Sequence, residues 1–177
     1  MFMNLAPDDV KTAISILAFA VSLFSLYVTR INWIQSNRPV ISAFVDEHSS
    51  GNMAATYNLI IANTGSRPAV NVQLHASQEK LSSLLDVNAE SEKLDSISMI
   101  FSSQSKISLL RNGEELSTSF GATINNPSEK PWLCYGTEIE ISISYQDLEG
   151  RKHKSKQPLK IYAREGFGGN VWVDPKV

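Results

Sequence analysis

The most restrictive feature of this 177-residue sequence is a run of 18 consecutive residues, 12–29, that carries no charge. Thirteen of them are apolar, and the other five are Ser or Thr, whose hydroxyls can bond back to helix carbonyls. As a helix the run is about 27 Å long, close to the roughly 30 Å hydrocarbon core of a bilayer. Lys11 and Arg30 flank it, and Trp33 follows at the expected interface. We therefore predict a single transmembrane helix with an interfacial extension over residues 12–34.

Two other structures could contain such a run. A buried helix of a soluble fold seldom has so long an uncharged stretch between flanking cations. A cleaved signal peptide needs cations before its apolar region, whereas this chain has Asp8 and Asp9 there. Cleavage after the small-x-small sequence 18–20 would also leave an apolar region of only about eight residues. The pattern favours an uncleaved anchor that follows a short N-terminal tail, residues 1–11.

The orientation of this anchor is predicted from the cations beside it. Lys11 lies on the N-terminal side, and Arg30 and Arg38 lie on the C-terminal side. The positive-inside rule then places the C-terminal part in the cytoplasm of the cell, by a margin of one charge. A single cysteine, Cys134, suits a reducing compartment, and the sequence has no Asn-x-Ser/Thr glycosylation acceptor without a proline.

Small residues recur along one side of the predicted helix. Their spacings are 3, 4, 3 and 4, and they are Ser15, Ala18, Ser22, Ser25 and Thr29. Small residues let helices approach closely in lipid, and hydroxyls can bond across the contact. This small-residue stripe predicts that the helix pairs with copies of itself or with a partner's membrane helix. Ordinary membrane spans also contain Ser and Ala, so a chance alignment stays open beside that interpretation.

From residue 39 onward the pattern becomes that of short β-strands. Pro39 cannot continue a helix, which makes residues 35–38 a linker, 39–165 the folded domain and 166–177 a C-terminal tail. The alternation of apolar and polar residues, with turn residues between segments, predicts strands at 40–45, 56–62, 69–75, 97–101, 106–110, 116–120, 138–145 and 158–163. A short helix is expected over 78–85 and a loop over 86–95. The fold class predicted is mainly β, an antiparallel sandwich of seven to eight strands.

Three segments resemble the strand and turn signatures of bacterial immunoglobulin-like sandwiches. They are NTGSRPAVNVQL (63–74), SLLRNGEEL (108–116) and EIEISISYQDLEG (138–150). The resemblance implies an immunoglobulin-like β-sandwich, from which this chain departs by a long insertion at 78–105. It implies no particular activity, because this architecture carries many functions.

The sequence offers no constellation typical of an enzyme or a metalloprotein. The three histidines lie in separate segments without paired spacing, and one cysteine excludes a thiolate zinc cluster. Cys134 lies in an apolar stretch, where a small buried hydrophobe is commoner than a nucleophile. We expect no catalytic residue, no metal site and no cofactor. The net charge of −2 argues against a nucleic-acid-binding protein.

The charges are nevertheless unevenly distributed. Residues 38–150 carry 7 cations and 14 anions, a net of 7 − 14 = −7, whereas residues 151–164 carry six cations and no acid. We call the six the basic arm: Arg151, Lys152, Lys154, Lys156, Lys160 and Arg164. The arm could bind anionic lipid, an acidic protein or a phosphorylated ligand. The alternative, which we favour, is cross-strand pairing with Glu138, Glu140, Asp147 and Glu149.

These observations predict a non-catalytic, membrane-anchored interaction protein. It would present its β-sandwich to a protein partner or a membrane complex, with membrane lipid as its second partner. The alternative is a ligand- or partner-responsive effector or sensor that acts through an oligomeric transmembrane helix. An anchored enzyme stays open only because catalytic groups from distant strands can converge in a fold.

Overall fold

The computed structural model describes residues 7–51, 54–87, 89–124 and 132–161. The chain divides into two compact units, Met1–Arg38 and Pro39–Val177. Residues 1–6 of the expected N-terminal tail 1–11, the expected C-terminal tail 166–177, the last two residues of the expected strand 158–163, and Arg164 of the basic arm lie outside the described residues.

The first unit contains one long helix, α1 (Pro7–Ser36). Pro7 suits the first helical position, and Asp8 and Asp9 complement the positive end of the helix dipole. The helix ends where the backbone and side-chain amides of Asn37 both donate to the carbonyl of Trp33. Every side chain from Asp8 to Arg30 is exposed. By length and composition α1 is able to cross a membrane, which confirms the expected long apolar helix.

The second unit is mainly β. Its seven strands are β1 (Ile41–Ser50), β2 (Ala54–Asn63), β3 (Ala69–His75), β4 (Ile107–Leu110), β5 (Glu115–Ile124), β6 (Glu138–Gln146) and β7 (Lys152–Lys160). Two short helices, α2 (Gln78–Ser82) and α3 (Ser91–Ile100), lie between β3 and β4. One sheet has the order β1-β2-β5 and the other β4-β3-β6-β7, and all pairings are antiparallel. The predicted antiparallel, two-sheet class is confirmed.

The inner faces of the two sheets form one hydrophobic core. Tyr57 and Leu59 of β2 belong to the same buried cluster as Ile141 and Ile143 of β6. The alternation predicted for β6 is seen directly, since Ile139, Ile141, Ile143 and Tyr145 are buried while Glu138 and Glu140 are exposed. From the two short helices, Leu81 and Ile97 join the cluster.

One predicted strand is wrong. A strand was expected over residues 97–101, but residues 97–100 are the last part of α3 and Phe101 is its C-cap. The first turn of α3 also occupies part of the expected loop 86–95. The reason is a helical period: Leu94, Ile97 and Phe101 are spaced by 3 and 4 residues and face the core together. Without this strand the expected set of eight becomes the observed seven.

The last strand begins earlier than its predicted start at residue 158. Residues Lys152–Lys160 pair with Glu138–Gln146 along the whole of β6. The sequence pattern did not indicate the first part of this strand, because lysines alternate there with the polar residues His153, Ser155 and Gln157 rather than with apolar ones. Pro158 is compatible with β7 because β7 is an edge strand, in which the N–H groups on the open side bond to no neighbouring strand.

Candidate binding surface on the outer face of the four-stranded sheet

The basic arm lies on β7, and its lysines share one face. Lys152, Lys154, Lys156 and Lys160 are exposed, while His153, Ser155, Gln157 and Leu159 turn towards the other side and are half-buried or buried. Strand alternation explains this, because successive side chains point to opposite faces of a sheet. The outer face of β6 next to them presents Glu138, Glu140, Ser142, Ser144 and Gln146.

Two of the four lysines on this face, Lys156 and Lys160, form ion pairs with glutamates of β6. Lys156 lies 3.1 Å from the Glu140 carboxylate, and Lys80 of α2 approaches the same oxygen at 3.4 Å. Lys160 pairs with Glu138 at 2.7 Å. Hydrogen bonding and charge from Lys156, with a smaller contribution from Lys80, lower the pKa of Glu140. The cross-strand pairing expected from the sequence is therefore present for Lys156 and Lys160.

Arg151 lies in the hairpin between β6 and β7, where it contacts Asp147. The buried Asp147 carboxylate accepts from the backbone N–H of Arg151 at 2.8 Å and lies 3.8 Å from its guanidinium. Its other oxygen is 3.4 Å from Nε2 of His153. Burial alone would raise the pKa of Asp147, but these contacts outweigh burial and lower it. Glu149 pairs with Arg67 at 2.6 Å rather than with the arm.

Two arm lysines, Lys152 and Lys154, make no ion pair with any described carboxylate, and Lys106 shares this property. Lys106 precedes β4, at the opposite edge of the sheet from β7. A groove of about 210 Å³ runs between Lys106 and Lys152. Its other lining residues are Asn71, Gln73, Ser144, Tyr145, Gln146 and His153. We call it the basic groove.

No sequence pattern indicates the basic groove, because Lys106 is 46 residues from Lys152 and only the order of the strands places both on one sheet. Asn71 was also missed. It has a positive φ of 57°, which is unusual for a residue other than glycine, and it lies where the β3–β6 register shifts. Its side-chain amide donates to Oε1 of Gln146 at 3.4 Å.

A second concavity, of about 320 Å³, opens between the two sheets on the side of β4 and β5. On the opposite side the sheets are tied, because the Gln157 side-chain amide of β7 donates to the carbonyl of Ala43 in β1. This apolar cleft is lined by Leu59, Ile61, Val72, Leu74, Ile100, Ser105, Ile107, Leu116, Ser117 and Thr118. Its volume and apolar walls are typical of a small ligand site.

The small-residue stripe of α1 is exposed along its whole length. At about 100° per residue its five members fall within an arc of about 80°. The hydroxyl of Ser22 donates to the backbone carbonyl of Ala18 at 3.0 Å, and the hydroxyl of Ser15 donates to the backbone carbonyl of Lys11 at 3.0 Å. Of the expected interface residues, Lys11 pairs with Asp8 at 3.1 Å, and Arg30 and Trp33 are exposed.

Cys134 shows little thiolate character. It is half-buried, and burial raises the pKa of its thiol, with the nearby Asp86 carboxylate adding to the effect. A raised pKa disfavours the reactive thiolate form at neutral pH. Within the described residues no three His, Cys, Asp or Glu side chains come together in a way that could hold a metal ion.

Fold and surface together define a class of protein: an antiparallel two-sheet β domain that follows one helix able to span a membrane. Residues 9–163 match the family described as Domain of unknown function (DUF8453), and the chain belongs to that family. The match includes most of α1 as well as all seven strands. No curated protein matches the sequence.

Proposed function

We propose that this protein is a non-catalytic, membrane-anchored interaction protein that presents its β domain to a protein partner or a membrane complex. The observation that carries the proposal is the exposed apolar surface of α1. Large side chains such as Leu17, Phe24 and Leu26 are 65–68% exposed. Apolar surface in water costs about 25 cal/mol per Å², so a helix of this kind requires lipid or other apolar helices around it.

The charges beside α1 support a cytoplasmic β domain. Arg30 and Arg38 follow the apolar run, whereas Lys11 alone precedes it and is paired with Asp8. Cys134 is the single cysteine of the sequence, and a lone free thiol suits a reducing compartment.

The strand order supports the immunoglobulin-like assignment of the β domain. If β1, β2, β3, β5, β6 and β7 correspond to strands A, B, C, E, F and G, the neighbours A–B, B–E, C–F and F–G are all present. β4 then takes the place of an additional strand beside C, and the insertion 78–105 lies between the two. This architecture carries many functions, and a role as an interaction domain is compatible with it.

The alternative function is a sensor or effector that acts through an oligomeric helix. The small-residue stripe favours it, since its members are exposed and lie within a narrow arc of α1. The two functions differ in where association occurs. An interaction domain associates mainly through the β domain, whereas the effector requires helix pairing.

Crosslinking of the full chain in intact membranes separates these functions. We expect a discrete higher-mass complex that survives dilution of the membrane with excess lipid and contains a second protein. Ser22→Leu with Ser25→Leu should leave this complex intact. A complex of copies of this chain that is lost in that variant supports the effector instead.

Ala20→Leu is the matched control, because Ala20 lies about 160° around the helix from Ser22. It adds similar bulk away from the stripe and should change neither kind of complex. Detection of the monomer alone, in wild type and variants, would contradict both functions.

A further inference from the structure

We propose that the basic groove binds a phosphate-bearing anion, carried either by a soluble small molecule or by a phospholipid headgroup. The proposal goes beyond the anchoring and interaction role and does not depend on it. It begins from charge: Lys106, Lys152 and Lys154 are exposed and have no described carboxylate partner, although lysines further along the same face are paired. Unbalanced positive charge is thus concentrated at one end of the sheet.

The strand register explains how distant residues form one site. Gln73 lies opposite Ser144, which lies opposite Lys154, and Gln146 lies opposite Lys152. Directly opposed residues in a sheet are about 5 Å apart, so each row forms a continuous strip across β3, β6 and β7. Lys106 adjoins β4 at the far edge, and it lines the same groove as Lys152. Cations therefore stand on both sides of a neutral polar floor.

The floor is held in place by its own contacts. The register shift makes Asn71 and Val72 oppose Tyr145 alone, and such bulges re-aim side chains. Asn71 donates to the carbonyl oxygen of the Gln146 side chain, which leaves the NH₂ group of Gln146 available to a ligand. Nε2 of His75 lies within hydrogen-bond distance of Oγ of Ser144, at 2.7 Å, and this contact holds the two side chains together. The strained backbone of Asn71 is of the kind that accumulates at binding sites.

The donor set favours phosphate over other anions. Two lysine side chains and the side-chain amides of Gln73 and Gln146 line the groove, and no Asp or Glu occurs among the lining residues. A phosphate group offers three strong acceptor oxygens to such donors, whereas a carboxylate is best matched by the planar fork of arginine, which the lining residues lack. A groove of about 210 Å³ accommodates one such group near the surface.

The test uses the isotope-labelled full chain and reads the side-chain amide NMR signals of Asn71, Gln73 and Gln146. In one arm the protein is held in uncharged detergent and titrated with inorganic phosphate at constant ionic strength. In the other it is placed in phosphatidylcholine nanodiscs with or without phosphatidylglycerol. We expect these three signals to shift in at least one arm. Shifts with phosphate alone identify a soluble ligand, and shifts with phosphatidylglycerol alone identify a headgroup.

The decisive variant is Lys106→Gln with Lys152→Gln, which should weaken the response at least about tenfold, as expected for lost charge-assisted hydrogen bonds. The matched control, Lys156→Gln with Lys160→Gln, removes the same charge from the same face and should stay within about twofold of wild type. Unchanged backbone amide spectra show that both variants are folded. No shift in either arm, or equal weakening in both variants, overturns the proposal.

Discussion

At the scale of single residues, the side chain of Asn63 connects three separate segments of the β domain, which no sequence pattern indicated. Its buried side chain accepts from the backbone N–H of Gly65 and Val40 and donates to the carbonyls of Arg67 and Leu110. The side chain thus connects the segment before β1, the turn after β2 and the end of β4. All of its donors and acceptors are used, which is what makes a buried amide stabilising.

Replacing this amide should be costly. Asn63→Ala leaves two backbone N–H groups and two carbonyls without these partners, and we expect the free energy of unfolding to fall by about 3 kcal/mol. The measurement is native-state hydrogen exchange of β6 amides in the full chain. Asn58→Ala is the control, because Asn58 lies on the same strand and makes none of these bonds; it should change stability by less than about 0.5 kcal/mol. Equal effects of the two variants would show that Asn63 has no special role.

At the scale of elements, the segment before β4 shows how a period can be misjudged. Ile97 and Met99 are both apolar and two residues apart, which suggests one face of a strand. The structure makes the segment helical, so Ile97 is 1% exposed whereas Met99 is 63% exposed. A window that begins at residue 97 omits Leu94, and the helical spacing is then invisible.

This difference gives a direct test of α3. Ile97→Ala should reduce the free energy of unfolding by about 2–5 kcal/mol, as expected for a truncated core residue. Met99→Ala should stay within about 0.5 kcal/mol of wild type, because its side chain is mostly in solvent. The same exchange measurement on β6 reports both variants. A large loss of stability in both would support a strand with one buried face instead.

The sequence predicted features that depend on residues close together in the chain, and it did not predict features that join distant residues. The strand β3 and the alternation of β6 are local patterns, and both were predicted with accurate positions. The pairs of Lys156 and Lys160 with the glutamates follow from a hairpin close in sequence. The basic groove forms because the strand order places Lys106 and Lys152 on the same four-stranded sheet. The apolar cleft forms where the two sheets are separated on the side of β4 and β5. Neither arrangement has a local signal.

At the scale of the whole molecule, the chain combines one helix able to span a membrane with a two-sheet β domain, to which we assign the proposed binding surfaces. The family match extends over both, so the helix is part of what defines the family rather than an appendage to it. Our central proposal is that α1 crosses a membrane and leaves the β domain in the cytoplasm.

Cysteine accessibility in intact cells tests this claim most directly. In the full chain with Cys134→Ala, one variant carries Asp9→Cys before the apolar run and another carries Leu148→Cys at the exposed hairpin, where the native leucine is 59% exposed. The cysteine-free chain is the control for background labelling. We predict that a membrane-impermeant maleimide labels position 9 in intact cells and position 148 only after the membrane is opened. Labelling of both positions from the same side would contradict a helix that crosses the membrane.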